Sequence, residues 1–229
     1  MACAPRALLW GAFLVMGLAG TQLSAQDLIS EAETLLFQTD HLKNVAPPGT
    51  LSYAFRKSGS AEPGFDDTVA LRVRAVDGAK SAFVVFFTGA RKIEFPEVTH
   101  AEGNPVLLCF LERDIREMQR LTGGKPGYFR KAIRMALAQS ASVAKTALSG
   151  SLVATQVTIT PYVNDPLKDR IGKYASKAYV FTLSADVPGG ISSLRTYVPP
   201  LGGAPGDPPL IEERLSFARV ETARASRRK

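Results

Sequence analysis

Residues 104–124 read NPVLLCFLERDIREMQRLTGG, and this stretch decides the fold class. Asn104-Pro105 is an N-cap followed by Pro at the first helical position, where the missing N–H costs nothing. Leu107, Leu111, Ile115, Met118 and Leu121 then recur at helical spacing, with Asp114 assigned to the polar side. Glu112 stands four residues before Arg116, the favourable order for a surface pair. Gly123-Gly124 stops the helix, and a second is expected from about Pro126 to Leu148, burying Phe129, Ile133, Leu137 and Ala144. The Gly123–Gly127 stretch follows a helix rather than a strand, so it reads as an interhelical turn and not as a phosphate cradle.

On both sides of this pair the apolar period drops to two. Leu51, Tyr53 and Phe55 alternate with small or polar neighbours, as do Val69, Leu71, Val73 and Ala75. Asp77-Gly78 is hairpin chemistry. Residues 82–87 are apolar on both faces, which places that strand in the middle of a sheet with cover on each side. Ile93 and Phe95 predict a short fourth strand. After the helices, residues 152–159, 179–183 and 194–198 are rich in β-branched and aromatic residues, and Leu215, Phe217 and Val220 form a last strand. Leu28, Ala32, Leu35 and Leu36 predict an N-terminal helix within 27–43, ended by Pro47-Pro48-Gly49. Residues 199–209 hold Pro or Gly at eight of eleven positions and form a loop. The expected fold is therefore α+β: a single domain over 26–220, built on a curved antiparallel sheet of seven to eight strands. The N-terminal helix and the central helical pair pack on one face.

The chain has 229 residues, 45% hydrophobic and 21% charged, with a formal net charge of +7. That apolar fraction excludes a disordered polymer, and two cysteines exclude a disulfide scaffold or a Cys-based zinc cluster. Arg6 followed by an uncharged apolar run to Gly20 reads as a secretory signal, with Leu23-Ser24-Ala25 as a cleavage site, Gly17-Leu18-Ala19 as a second candidate and an uncleaved anchor as the alternative. Residues 1–25 are thus expected to be removed and the product to be periplasmic or secreted. Thr21 stands where a lipoprotein would need Cys. Cys109, flanked by Leu107, Leu108, Phe110 and Leu111, reads as a small buried hydrophobe. Residues 221–229 read as a disordered basic tail.

Hydrolase, metalloprotease and phosphate-loop patterns are missing from the sequence. His100 with Glu97, Glu102 and Asn104 has no spacing that would fix a coordination sphere, so neither a metal nor a cofactor is expected. Ser142-Val143-Ala144-Lys145 fits the S-x-x-K spacing of serine acyl-transfer enzymes, provided that a helical turn brings the amine beside the hydroxyl. It stays open as an enzymatic alternative.

Charge is unevenly placed. Residues 26–111 hold eight basic and eleven acidic groups, whereas 112–145 hold eight and three. Arg113, Arg116, Arg120, Arg130, Lys131 and Arg134 make the helical pair a basic surface. Export makes nucleic acid an unsuitable partner, and anionic lipid, a membrane surface or an envelope protein suits it better. A structural or adaptor role through this face and the tail is a further alternative.

The order of elements resembles the periplasmic lipoprotein-carrier and localisation families, whose curved half-barrels shelter acyl chains. The resemblance spans residues 26–220, rests on no motif and carries over no site residue. It implies an exported, non-enzymatic protein with an apolar concavity for a lipid or lipoprotein-like ligand, lined here by Tyr53, Phe55, Phe83, Phe86 and Phe181.

Overall fold

The computed structural model describes residues 29–148, 152–202 and 206–222. The signal expected over 1–25 and residues 223–229 lie outside this range.

Nine strands form one open antiparallel sheet in the order β4-β3-β2-β1-β9-β8-β7-β6-β5. β1 (Gly49–Ser58), β2 (Phe65–Val76), β3 (Ala79–Phe86) and β4 (Ile93–Glu94) form one meander. β5 (Ser142–Ala147), β6 (Val153–Ile159), β7 (Ala178–Leu183), β8 (Ile191–Val198) and β9 (Ile211–Thr222) form the other. Pairing of β1 with β9 joins the two, with Ala218 as an extra bulged residue between the Ser52–Arg219 and Tyr53–Phe217 pairs. β9 carries the chain through Thr222, two residues beyond the expected domain boundary.

This order dictates where the helices go. β4 and β5 are opposite edges of the sheet, about 38 Å apart if it were flat. The chain between them must cross one face, and it does so as α2 (Val106–Thr122) and α3 (Pro126–Gln139). α2 alone spans roughly 25 Å. Asn104 Oδ1 accepts from Val106 N at 3.1 Å, and Gly123 closes α2 in the left-handed region at φ 71°. Apolar residues of α2 (Val106, Leu107, Phe110, Ile115, Met118) and α3 (Phe129, Ile133, Leu137) meet inward-pointing Leu51, Tyr53, Phe55, Leu71, Phe181 and Leu194. The fold class is therefore the expected one, with a strand count of nine.

Four details differ from the sequence reading. α3 stops at Gln139, and residues 142–147 form edge strand β5, with Val143 opposite Val157. Ser140 bonds back to the Ala136 carbonyl, and β-branched Val143 and Thr146 gain more from the open edge of β6 than from another helical turn. The N-terminal helix is shorter than expected: α1 (Glu31–Glu33) runs into a single π-helical stretch, Thr34–Gln38. A reciprocal capping box between Ser30 and Glu33 starts it. β3 lies second from an edge rather than at the centre. Phe83 and Val85 are half-buried on one face, while Phe87 adopts φ 65° and turns inward beside Phe86, packing on Phe55 and Phe65. Finally, Asp114, assigned to the polar side of α2, is fully buried.

Candidate functional site

Tyr53, Phe55, Phe86 and Phe181 are at most 1% exposed and belong to the packed core. Phe83 is half-buried on the opposite face, in register with Arg72. None of the five lines the clefts described below. The space under the helices is filled, and part of it by charge.

Two consecutive residues of α2 insert into the sheet. Arg113 forms a bidentate ion pair with Glu213 of β9, which is fully buried, and its guanidinium lies 4.9 Å from the Phe55 ring centroid. Asp114 accepts from Lys177 Nζ and, at 2.7 Å, from Tyr179 Oη. One turn on, Glu117 accepts from Lys57 at 2.8 Å and from Arg120, while Glu62 takes Lys57 and Arg120 from the other side. Burial alone would raise the Glu117 carboxyl, but Arg120 and Lys57 outweigh it and hold the group down to about 2. The expected basic surface is thereby divided. Arg113 is interior, Arg120 and Arg130 are engaged by Glu62, Glu117 and Glu112, and Arg116, Lys131 and Arg134 stay exposed, making no side-chain hydrogen bond among the described residues, with Arg116 acting on Glu112 only through its charge.

The S-x-x-K geometry does not form. On strand β5 a separation of three puts Ser142 and Lys145 on opposite faces, and Lys145 Nζ instead donates to Thr155 Oγ1 at 2.9 Å. Lys145 lines a small cleft of about 260 Å³ with Leu35, His41, Lys43 and Thr155. His41 accepts from Asn104 N through Nδ1, so Nε2 carries the hydrogen donated to the Leu35 carbonyl. Burial lowers its pKa. The described residues contain no cluster of His, Cys, Asp or Glu that could hold a metal ion. Among them, no helix is long and apolar enough to cross a membrane. Cys109 is buried and free, its thiol pushed up to about 12 mainly by burial.

Two neighbouring clefts lie beside α3. The larger, about 670 Å³, runs between α3 and the 160–167 segment and is walled by Ala132, Met135, Pro161, Pro166 and Leu167. The smaller, about 370 Å³, lies between the α2–α3 turn and α4 (Lys168–Ile171). Tyr128 and Leu167 line both. Each volume falls in the range of small-molecule sites, roughly 300–1,000 Å³. Tyr128 Oη is buried, and its hydrogen-bonding neighbour is the Asp165 carboxylate. Burial first, and the Asp165 carboxylate second, raise its ionisation above the ordinary phenol range, so it is a donor.

The outer wall is held rigidly. Tyr162 is fully buried, its ring edge-on to Phe129 at 5.7 Å, and this anchors the 160–167 segment to the core. Sequence reasoning placed Lys131 on a binding surface but missed Tyr128, Met135, Asp165, Leu167 and Arg170. The available signal was Met135 on the solvent side of a helix beside a Pro161/Pro166 loop.

No family model and no curated protein matches the chain. Among solved structures, lipoprotein LppX of Mycobacterium tuberculosis is 11% identical, covering 74% of this chain and 84% of its own, with TM-score 0.32. A LolA superfamily protein of Nitrosomonas europaea is 10% identical, covering 83% of this chain and 92% of its own, with TM-score 0.23.

Proposed function

We propose that this is an exported envelope protein, periplasmic or secreted, that binds an amphiphilic ligand without chemistry of its own. The carrying observation is the pair of neighbouring clefts beside α3, whose linings combine apolar side chains with Lys125, Lys131 and Arg170. The site is thus beside α3. Tyr53, Phe55, Phe86 and Phe181 would reach a ligand only if α2 lifted, which means breaking the Arg113–Glu213 and Asp114–Lys177 pairs.

Native mass spectrometry of protein purified from its own envelope is expected to show a retained lipid. Stripped protein is expected to take up a fluorescent fatty acid, with uptake lost in Met135→Trp, which fills the larger groove. Protein that is ligand-free when isolated and fails to take up the probe sinks the reading.

A second reading is docking of an acidic partner protein. It is favoured by Arg116, Lys131 and Arg134, whose charges are exposed and unspent on internal pairs. Co-purification that is lost when Arg116 and Arg134 are reversed to Glu, while fatty-acid uptake persists, would select it.

A further inference from the structure

We propose that His41 is a pH-sensitive latch, whose protonation in mildly acidic surroundings releases the strap of residues 35–42 from the start of α2. This goes beyond the binding reading above and does not depend on it.

His41 is 5% exposed and joins parts of the chain that lie far apart in sequence. Its Nδ1 accepts from Asn104 N at 3.3 Å, and its Nε2 donates to the Leu35 carbonyl at 2.9 Å. A backbone N–H can only donate, so this arrangement exists for the neutral imidazole alone. Once protonated, Nδ1 carries a hydrogen of its own, and two donors face each other.

Asn104 is not free to yield. Its side chain donates to Tyr53 Oη of β1 at 2.9 Å and to the Gly189 carbonyl at 2.8 Å, and its Oδ1 caps α2 at Val106 N. The ring is not free to turn in place either. Gly190 lies against it with φ 73°, and a Cβ on that residue would stand 2.8 Å from His41 Cδ2. The chain carrying His41 is what moves.

That chain is a strap between two anchors. Ser30 Oγ donates to the Leu137 carbonyl at one end, and Asn44 bonds to Ala185, Val187 and Gly189 at the other. Between them run the π-helical Thr34–Gln38, a rare winding, and two ties at Leu42: its N donates to the Glu102 carbonyl, and its carbonyl accepts from Lys80 Nζ. Leu36 and Leu42 are buried beneath it. Leu36 also lines a cleft with Phe37, Val98 and Leu108, which are already 40%, 43% and 55% exposed, so release enlarges an apolar surface that neutral pH keeps partly closed.

Among the described residues, no carboxylate hydrogen-bonds the ring. The titratable groups around it are Asp40 and Lys43 on its own segment, Lys145 of β5 in the same cleft, Lys80 of β3, Glu102 ahead of α2, Asp186 in the β7–β8 turn, and Tyr53 of β1 through Asn104. Asp40 favours the imidazolium by its charge, yet burial outweighs both Asp40 and the Leu35 bond. The charge is therefore accommodated by moving out to water.

Hydrogen exchange by mass spectrometry at about pH 7.5 and about pH 5.5, corrected for the intrinsic pH dependence of exchange, tests this. Uptake of one proton by the open form raises opening by at most about tenfold per pH unit below the ordinary 6.5. Peptides covering 35–42 are expected to open more readily than β1 and β9 at both values, and more so, within that factor, at the lower. His41→Gln, whose side-chain oxygen accepts from Asn104 N at every pH, is expected to abolish the rise. Should that variant fold poorly, nitrogen NMR of the unaltered protein replaces it: Nδ1 protonation and the Asn104 amide shift are expected to titrate together. Opening of 35–42 that ignores pH, that is no easier than that of β1 and β9, or that rises equally in His41→Gln overturns the latch. So does an Asn104 amide that does not respond as His41 titrates.

Discussion

Tyr162 donates its hydroxyl hydrogen to Tyr179, 2.9 Å away. The direction is fixed because Tyr179 spends its own hydrogen on Asp114 at 2.7 Å. A loop residue, a strand residue and a helix residue are thereby linked in one buried relay, with Lys177 completing the carboxylate. Through it the outer wall of the α3 groove is tied to the core.

Tyr162→Phe removes one buried hydrogen bond and leaves Tyr179 with its bond to Asp114. The expected cost is about 1 kcal/mol of global stability. Hydrogen exchange by mass spectrometry should show lost protection concentrated in residues 160–167. Uniform loss across the sheet would mean that the relay does not hold the loop in particular.

Glu213→Leu strands the Arg113 guanidinium, since Lys57 keeps Glu62 and Glu117 but Arg113 has no other carboxylate at hydrogen-bond distance among the described residues. Breaking a buried pair in this way costs about 3–5 kcal/mol. Arg113→Met combined with Glu213→Leu is expected to recover most of that loss, because the neighbours Phe55 and Phe87 already offer an apolar lining. Urea midpoints of the two singles and the double measure the coupling. A double variant as weak as the sum of the singles contradicts it.

Acid should destabilise the fold in two steps. Burial keeps the folded pKa of His41 below its ordinary 6.5, so below that pH the unfolded chain binds more protons. Stability is full above 6.5 and falls as pH drops toward the folded value. Glu117, held at about 2 against an ordinary 4.5, adds stability that is complete above 4.5 and lost as pH falls to about 2. Urea midpoints between about pH 8 and pH 3 should show both limbs. His41→Gln should flatten the upper one, and Glu117→Gln should weaken the lower.

Ser142 and Lys145 point to opposite faces of β5, so a fluorophosphonate or fluorescent β-lactam is expected not to label the protein. Ser142 is exposed, and Ser142→Ala should change stability by less than about 0.5 kcal/mol. Labelling that disappears in this variant would reinstate the enzymatic alternative.

Local chemistry made much of the fold legible. Capping at Asn104 and Gly123, the period-two runs and the hairpin at Asp77-Gly78 all act over a few residues, and the elements they predict are present. The errors fall where distant partners decide. Residues 142–147 have helix-tolerant Ala and Lys, and only the open edge of β6 makes them a strand. Asp114 reads as polar-facing until Lys177 and Tyr179 arrive from 63 and 65 residues away to satisfy it. Arg113 reads as surface charge for the same reason. The groove was illegible because its two walls, α3 and the 160–171 segment, come together only through Tyr162 and its relay.

By itself, the sequence determined the class of the protein: strands on either side of a helical pair, a buried thiol at Cys109, and a basic central segment. These depend on periodicity, capping and composition, which are properties of neighbours in the chain. Tertiary structure alone decided which of the basic residues stay free, that the aromatic face is filled, and that clefts open beside α3. Those outcomes depend on which charges and side chains meet across the sheet, and antiparallel pairing of the first strand with the last brings together residues that spacing along the chain cannot relate.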